Sequence, residues 1–320
     1  MEIDYSVIIR TTGEAGEKYR KLLNSINNLE PKPKEILVVL PNGYDLPPER
    51  LGWERFCFSP KGMVIQRITG VQLCHSRYAL ICDDDVCFDF DFVQKLYTPI
   101  CNGEGQFSIG PLYSFLPTLG AHAIIDMISA HATPMLLCRQ KRYISVLKSS
   151  GYAYNRHLKL GKYYETQSAP WTCFFADINV LRAIDFADEA WLDAHGYSAM
   201  DDQTMFYKAW LRGYKTIVVS DAVYEHLDGK TSTRNNKPTV LYCSMFNRLV
   251  FWHRFIYQQG NKPLAVLCYA NWLIWELILD LLRIFRRKMD FEDVKMCWKG
   301  WTDGYKYLKS EEYRLLPRVE

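Results

Sequence analysis

Short apolar runs alternate with an amphipathic helical pattern at the start of the chain. Residues 5 to 12 (YSVIIRTT) are mostly apolar and end in polar residues, which is typical of a buried parallel strand. Residues 16 to 29 place their apolar side chains on one helical face, namely Tyr19, Leu22, Leu23, Ile26 and Leu29. A second apolar strand follows at 36 to 40, after a proline-rich break. This order predicts the β-α-β unit of a doubly wound α/β sheet.

The alternation continues further along the chain. It predicts a helix over 64 to 75, a buried strand at 78 to 82 (YALIC), a strand and a helix start within 171 to 184, a helix over 201 to 212 and a strand at 215 to 219. Gly213 marks the end of the helix at 201 to 212. Between 105 and 170 the pattern indicates only a helix at 120 to 130.

The chain changes character after residue 228, so we divide it into 1–228 and a helical tail, 229–320. A loop at 229 to 239 opens the tail, and the most hydrophobic block lies at 263 to 288. Its polar interruptions, Asn271, Glu276 and Asp280, predict that the apolar part is too short for a membrane span of roughly 20 residues. We expect an amphipathic helix at a membrane surface, with a basic cytoplasmic edge made of Arg283, Arg286, Arg287 and Lys288. An ordinary buried helix with a basic C-terminal end is the open alternative.

Composition narrows the class of protein. The chain has 320 residues, 48% hydrophobic and 23% charged, which is typical of a globular protein. Its net charge of +3 gives no ground for a nucleic-acid partner. Ten cysteines, Cys138 among them, form no C-x-x-C pair, and the first residues show no secretory pattern. We therefore expect reduced thiols and a cytoplasmic location.

Three consecutive acids, Asp83 to Asp85, directly follow the predicted strand at 78 to 82. Ligands of open α/β sheets bind outside the carboxyl ends of the strands, where Arg10, Thr11 and the loop at 41 to 45 are also expected. Asp83 and Asp85 form a D-x-D pair, and Mg²⁺ or Mn²⁺ prefers carboxylate oxygens. The acids indicate either a cation site or a simple turn.

Two further features carry candidate chemistry. Asp201 and Asp202 open a predicted helix, where they either interact with the helix dipole or supply a general base. His226 follows the last predicted strand of the first part and is either structural or a metal ligand.

The order of these pieces resembles glycosyltransferase family two, the inverting GT-A enzymes. The similar segments are SVIIRT, ILVVLPNGYD, QRITGVQLCHSRYALICDDDV, WTCFFADINVLR, DDQTMFYKAWLRGYKTIVV and the histidine at 226. They cover about 5 to 228, with an interruption between 105 and 165. The tail segments FNRLVFWHRF and WTDGYKYL are similar to those of bacterial rhamnosyltransferase-like members.

The resemblance implies a GT-A fold, Rossmann-like, with a mostly parallel sheet, flanking helices and a C-terminal helical extension. It also implies roles for individual residues. The residues that would contact the donor are Arg10, Thr11, Arg67, Asp83 and Asp84. The metal ligands would be Asp83, Asp85 and His226. The catalytic base would be Asp202, with Asp201 in the place of a usual Glu, and Trp171 and Thr172 would contact the acceptor.

One departure concerns the second predicted strand. The family usually has an Asp there that reads the nucleotide base, whereas this chain has Leu40 and Pro41, followed by Asn42 as a substitute. The resemblance implies a metal-dependent hexosyl transfer from a nucleotide sugar to a glycan or lipid-linked glycan, in surface polysaccharide synthesis. The amphipathic segment of the tail predicts that this acceptor lies at the inner leaflet. A nucleotidyltransferase acting on a sugar phosphate and a non-catalytic, membrane-associated binding protein are the open alternatives.

Overall fold

The computed structural model describes residues 2–118, 120–135, 142–228 and 237–319, and gives only the backbone at 121 and 122. Cys138 and residues 229 to 236 of the predicted loop lie outside this part of the chain. The described cysteines are all free.

The structure contains both strands and helices as far as β13, and the described residues after β13 are helical. The strands are β1 (Tyr5–Arg10), β2 (Glu35–Pro41), β3 (Arg55–Ser59), β4 (Tyr78–Asp83), β5 (Val86–Phe88), β6 (Phe107–Ile109), β7 (Ala132–Pro134), β8 (Ile144–Val146), β9 (Tyr152–Tyr154), β10 (Tyr163–Thr166), β11 (Cys173–Asp177), β12 (Thr216–Val219) and β13 (Tyr224–His226). The α-helices are α1 (Glu17–Asn28), α2 (Met63–Leu73), α3 (Phe92–Cys101), α4 (Ala121–Ile128), α5 (Ile178–Ala183), α6 (Asp201–Leu211), α7 (Lys237–Phe251), α8 (Lys262–Phe285), α9 (Phe291–Tyr307) and α10 (Glu311–Leu315). Short 3₁₀ helices occupy Tyr113–Phe115 and Phe186–Leu192, and a π-helical segment, Trp252–Tyr257, joins α7 to α8.

An eight-stranded sheet forms the centre, in the order β10-β12-β6-β11-β4-β1-β2-β3. Strands β3, β2, β1 and β4 are parallel, β11 runs against β4 and β6, and β10 runs against β12. Every residue of β1 and β4 is buried, as expected for strands covered on both faces. The predicted α/β class, with a mostly parallel sheet and flanking helices, is confirmed.

Several short strands were not predicted. Edge strand β3 (RFCFS) is half-exposed, and its apolar run is only three residues long, which is too short to predict a strand. Strands β5 and β13 pair with each other and have three residues each, which is too short to display a period. The same holds for β7, β8 and β9, which form a separate small sheet.

Helix α2 lies unusually close to the sheet because of Gly70. A Cβ atom at this position would come within 2.3 Å of Ile8 Cγ2, so a larger residue would push the helix away from β1. Arg67 precedes Gly70 by one helical turn and is buried. Close packing of α2 therefore places this guanidinium near the carboxyl ends of β1 and β4.

The helical tail is joined to the sheet region by buried polar contacts. The carboxylate of Glu189 accepts two hydrogen bonds from Arg254, at 2.8 and 2.9 Å, and lies 2.8 Å from Lys208 Nζ. All three side chains are almost completely buried. Asn247 Nδ2 donates to the backbone oxygen of Ala199, at 2.9 Å, just before α6. The division at residue 228 remains an expectation, since no observation tests it.

Helix α8 corrects one expectation. It runs without a break through Asn271, Glu276 and Asp280, and it is the one helix of the described residues that is long and apolar enough, by length and composition, to cross a membrane. The prediction that its apolar part is too short is therefore wrong. Asn271 donates to the backbone oxygen of Ile128, and both acids pair with Arg283. These contacts satisfy the polar groups within the protein, while Leu267, Leu281 and other apolar side chains are exposed.

Candidate active site

A cavity of about 220 Å³ opens at the carboxyl ends of β1 and β4. Arg10 ends β1, Asp83 ends β4, and the two are register partners in the sheet. The lining consists of Arg10, Met63, Arg67, Asp83, Asp84, Asp85, Phe115, Trp171, Thr172, Tyr197, Asp201, Asp202, His226 and Asp228. The structure thus brings together the acids at 83–85, the acidic pair at 201–202 and the histidine, which are far apart in the chain.

Arg67 connects the two acidic groups of the cavity. Its Nη2 donates to Asp83 Oδ1 at 2.9 Å, and its Nη1 donates to Asp201 Oδ2 at 2.6 Å. Arg10 Nε donates to the same Asp83 oxygen at 3.1 Å. Asp83 is therefore held between two guanidinium groups, both buried, which differs from the exposed metal ligand that a D-x-D pair suggests.

Asp84 links the two neighbouring strand ends. Thr11 Oγ1 donates to Asp84 Oδ2 at 2.5 Å and accepts from the backbone N–H of Gly13 at 2.8 Å. Burial raises the pKa of Asp84 to about 6, although Arg10 and Thr11 act in the opposite direction. Asp84 and Thr11 thus fix the floor of the cavity, and Thr11 itself does not line it.

Asp85 and His226 lie side by side at the cavity wall. The backbone N–H of Leu227 donates to Asp85 O at 2.7 Å, and His226 pairs with Val86 across the β5–β13 ladder. This places His226 Nε2 at 3.2 Å from Asp85 Oδ1. Burial opposes a charge on the imidazole, but the hydrogen bond and the charge of Asp85 outweigh it and raise the pKa of His226.

The two acids of α6 have different environments. Asp201 is held by Arg67, whereas no ion pair to Asp202 is found among the described residues. Burial, and then the neighbouring charge of Asp201, raise the pKa of Asp202 well above its usual range. The preceding residue, Met200, has φ 72°, a left-handed conformation that costs a non-glycine residue on the order of 1 kcal/mol.

Trp171 and Thr172 lie at the base of the cavity. The guanidinium of Arg67 covers the indole ring of Trp171, with 4.5 Å between Cζ and the ring centroid. Thr172 exchanges a hydrogen bond with the hydroxyl of Tyr224, at 2.8 Å. Both residues reach the cavity, but one indole face is already occupied, so the predicted sugar contact would need another part of the ring.

Asn42 is the other predicted residue that does not line the cavity. It is exposed in the turn after β2 and donates its backbone N–H to Ser59 O at 2.8 Å. Its role toward a nucleotide base stays a prediction. Sequence reasoning missed four residues of the lining: Met63, Phe115, Tyr197 and Asp228. Of these four, only Asp228 could have been proposed from the sequence, because it is an acid two residues after His226.

A second cavity, of about 190 Å³, adjoins the first. It is lined by Phe115, Leu116, Ile144, Tyr152, Ser168, Ala169, Pro170, Met200, Asp202, Gln203 and Arg248. Phe115 and Asp202 belong to both linings, so the Asp202 carboxylate stands at the junction of the two spaces. The Asp202 carboxylate, which can accept a proton, is thus reached from both cavities.

Asp85 and His226 fit a partial cation site. A hard cation such as Mg²⁺ keeps several ligand positions for water and substrate phosphates and uses one or two carboxylates of the protein. Within the described part of the chain no group of three or more His, Cys, Asp or Glu side chains is arranged to hold a metal. The residues present thus suit a cation that arrives with a phosphate ligand better than a permanently bound one.

Comparison with known proteins identifies the fold. No protein-family profile matches the chain, and no curated protein sequence matches it. Among solved structures, residues 1–349 of S. aureus TarS in complex with UDP-GlcNAc match with a TM-score of 0.53 and 14% identity, over 95% of this chain and 81% of that one. GalNAc-T7 with UDP, GalNAc and Mn²⁺ matches with a TM-score of 0.50 and 12% identity, over 80% of this chain and 50% of that one.

The chain shares its fold with these glycosyltransferases. The GT-A-like architecture implied by the sequence segments is thereby confirmed at the level of the fold. Membership of family two and the likeness to rhamnosyltransferases remain predictions, because identities of 12 to 14% carry no finer assignment.

Proposed function

We propose that this protein is an inverting glycosyltransferase that moves a hexosyl group from a nucleotide-diphosphate sugar to a hydroxyl group of an acceptor. The observation that carries the proposal is the convergence of Asp85, His226 and Asp202 on one cavity at the strand ends. The shared fold with two glycosyltransferase structures that hold UDP or a UDP-sugar supports it and makes UDP-sugars the first donors to test.

The donor's diphosphate would bind at the Asp85 side of the cavity. Asp85 and His226 would hold Mg²⁺ or Mn²⁺, which when bound neutralises charge on the leaving diphosphate. Arg10 and Arg67 fix Asp83, and Thr11 fixes Asp84, so these residues keep the turn after β4 in one position. In this assignment Asp83 organises the site and Asp85 is the carboxylate ligand.

Asp202 would act as the general base. Its carboxylate takes the proton of the acceptor hydroxyl while that oxygen forms a bond to the anomeric carbon. The bond from the same carbon to the diphosphate oxygen breaks on the opposite face, which inverts the configuration. A raised pKa makes Asp202 a better proton acceptor than an ordinary Asp, and Asp201 is unsuited because its carboxylate is already ion-paired with Arg67. The acceptor would enter through the second cavity.

We further propose that the tail rests on the cytoplasmic face of a membrane, close to a glycan or lipid-linked glycan acceptor of surface polysaccharide synthesis. The exposed side of α8 is apolar, with Leu267 68% and Phe285 87% exposed. Arg286, Arg287 and Lys288 directly follow and are exposed. An apolar helix face beside a basic cluster suits an interface that carries anionic lipids.

The proposed function is tested by identifying the product released from nucleotide sugars. The full-length chain is incubated with UDP-sugars and Mn²⁺, and release of UDP is measured together with transfer to glycan acceptors. Release of pyrophosphate from a sugar phosphate and a nucleoside triphosphate would instead indicate a nucleotidyltransferase. If no nucleotide sugar raises the melting temperature with Mn²⁺, a non-catalytic binding protein is favoured, since a ligand of the native state stabilises it.

A further inference from the structure

Arg248 places a positive charge in the second cavity. It belongs to α7, and its side chain lines this space together with Gln203, Tyr152 and the shared residue Asp202. The remaining walls are mostly apolar. A guanidinium group in such surroundings is the feature of the cavity that selects most strongly among ligands.

The guanidinium is held in position by neutral partners. Its Nη1 donates to Ser150 O at 3.2 Å, and its Cζ lies 4.9 Å from the ring centroid of Trp272. Ser150 is buried, has φ 70° and accepts a second hydrogen bond on the same oxygen from Gln203 Nε2, at 3.0 Å. A strained turn and an indole ring therefore fix the direction of the side chain without neutralising it.

Arg248 is only half-buried, and it differs in its partners from the buried arginines. Arg10, Arg67 and Arg254 each form an ion pair with a buried carboxylate. No ion pair of Arg248 is found in the described ranges. Burial lowers its pKa, and the carboxylate of Glu276 offsets only part of this effect. A partly buried charge without an ion-pair partner is stabilised by a bound anion.

We propose that the second cavity is the acceptor site and that Arg248 binds an anionic group, a phosphate or a carboxylate, carried by the acceptor. The inference rests on the proposed glycosyl transfer, in which the nucleotide sugar fills the first cavity and an acceptor in the second cavity presents its hydroxyl to Asp202, which lines both. The aromatic rings of Phe115 and Tyr152 provide contact surface for the neutral part of the acceptor. The anion thereby fixes the orientation in which a hydroxyl reaches Asp202.

Binding of simple anions to the full-length chain tests the proposal. Hexyl phosphate, hexanoate, glycerol 3-phosphate and hexan-1-ol are titrated by calorimetry into the wild type and into Arg248→Gln. The phosphate and carboxylate should bind the wild type, and Arg248→Gln should weaken them about tenfold or more, because a charge-assisted hydrogen bond is lost. Arg248→Lys should bind with intermediate affinity, since it keeps the charge but loses the planar fork.

Arg50→Gln is the matched control. Arg50 also bonds a backbone oxygen, that of Pro47 at 3.0 Å, and lies over the ring of Phe56, but it lines neither cavity. The Arg50→Gln variant should therefore bind the anions with the same affinity as the wild type. Equal affinity of Arg248→Gln and the wild type, or hexan-1-ol binding as tightly as hexyl phosphate, would overturn the proposal. Tighter binding of hexyl phosphate than of glycerol 3-phosphate would indicate a lipid-linked source of the anion, and equal binding a water-soluble one.

A wild-type measurement covers the case in which Arg248→Gln does not fold. Phenylglyoxal modifies accessible arginines, and mass spectrometry maps the modified positions. Hexyl phosphate should protect Arg248 and leave Arg50 reactive; no protection would count against the site. UDP binding with Mn²⁺ is measured in parallel. Anion binding at Arg248 without any nucleotide-sugar turnover would contradict the proposed function while leaving the anion site standing.

Discussion

Arg67 and Asp201 form a buried ion pair, with 2.6 Å between Nη1 and Oδ2, and this pair gives two adjacent carboxylates different properties. Asp201 is ion-paired with Arg67. Asp202 shares the same helix start but has no such partner among the described residues, and burial and the charge of Asp201 raise its pKa. The sequence alone could not choose between the two acids as base, whereas their environments favour Asp202.

Asp202→Asn should remove turnover. We expect a loss of about 100- to 10,000-fold in kcat, the range for a general base. Binding of UDP with Mn²⁺ should persist, because Asp85 and His226 are unchanged. Steady-state kinetics and calorimetry measure the two quantities, and the exposed Asp45→Asn serves as control. Full activity of the Asp202 variant would refute the assignment.

The same substitution should make the protein more stable at neutral pH. The pKa of Asp202 is raised in the folded state, so its stabilising contribution is present below its ordinary value of 3.8 and is lost as the pH rises through the folded-state pKa. At pH 7, well above the ordinary value of 3.8, burial of this carboxyl group therefore lowers stability, and Asn removes that cost. The melting temperature should rise by about 2 °C or more.

The gain should shrink as the pH is lowered toward 4, where Asp202 is protonated in the wild type. Thermal unfolding at several pH values follows this dependence. A variant less stable than the wild type at pH 7 would contradict the raised pKa. Loss of activity together with a gain of stability is difficult to explain by misfolding.

Arg67→Met should destabilise the fold strongly. It leaves Asp83 and Asp201 buried, with one of them wholly uncompensated, and breaking a buried pair costs about 3–5 kcal/mol of unfolding free energy. Urea unfolding measures the loss. Arg77→Gln is a suitable control: Arg77 also lies over an aromatic ring, that of Tyr78, but its side chain is 63% exposed. Its substitution should change stability by about 0.5 kcal/mol or less. Similar losses for both variants would contradict a special role of Arg67.

The sequence predicted the strand ends well and the connections between them poorly. Buried strands such as β1 and β4 appear as continuous apolar runs, so the position of Asp83 to Asp85 followed from local pattern and strand-end rules. The Arg67–Asp201 pair depends on how α2 and α6 pack, across a sequence separation of 134 residues, and no local signal reports it.

The second cavity could not be predicted from the sequence either, because it too depends on how distant segments pack. Its walls come from short strands, loops and two different helices, and Arg248 carries no motif. The apolar length of α8 was underestimated because its polar residues were counted as interruptions, whereas in the structure Glu276 and Asp280 pair with Arg283 of the same helix. Side-chain pairing at helical spacing satisfies them.

Asp85→Asn and His226→Ala should each remove the part of donor binding that depends on metal. UDP is titrated with Mn²⁺ and with EDTA. In the wild type Mn²⁺ should strengthen binding, and in both variants the two titrations should give the same affinity, because a cation ligand is missing. Asp228→Asn, which lies in the same cavity, provides the comparison and should retain the metal effect. An undiminished Mn²⁺ effect in Asp85→Asn would show that the cation is held elsewhere.

The exposed face of α8 should hold the protein on anionic membranes. Leu267 and Leu281 are 68% and 60% exposed, so Leu267→Glu with Leu281→Glu should leave the fold intact and abolish co-sedimentation with vesicles that contain phosphatidylglycerol. Arg286→Gln with Lys288→Gln should weaken binding by about 1 kcal/mol per charge and only on anionic vesicles. Leu160→Glu, at an 81% exposed apolar residue outside the tail, should have no effect. Wild-type protein that stays in the supernatant as a dimer, and becomes monomeric in the α8 variant, would instead identify a second copy of the chain as the partner of this face.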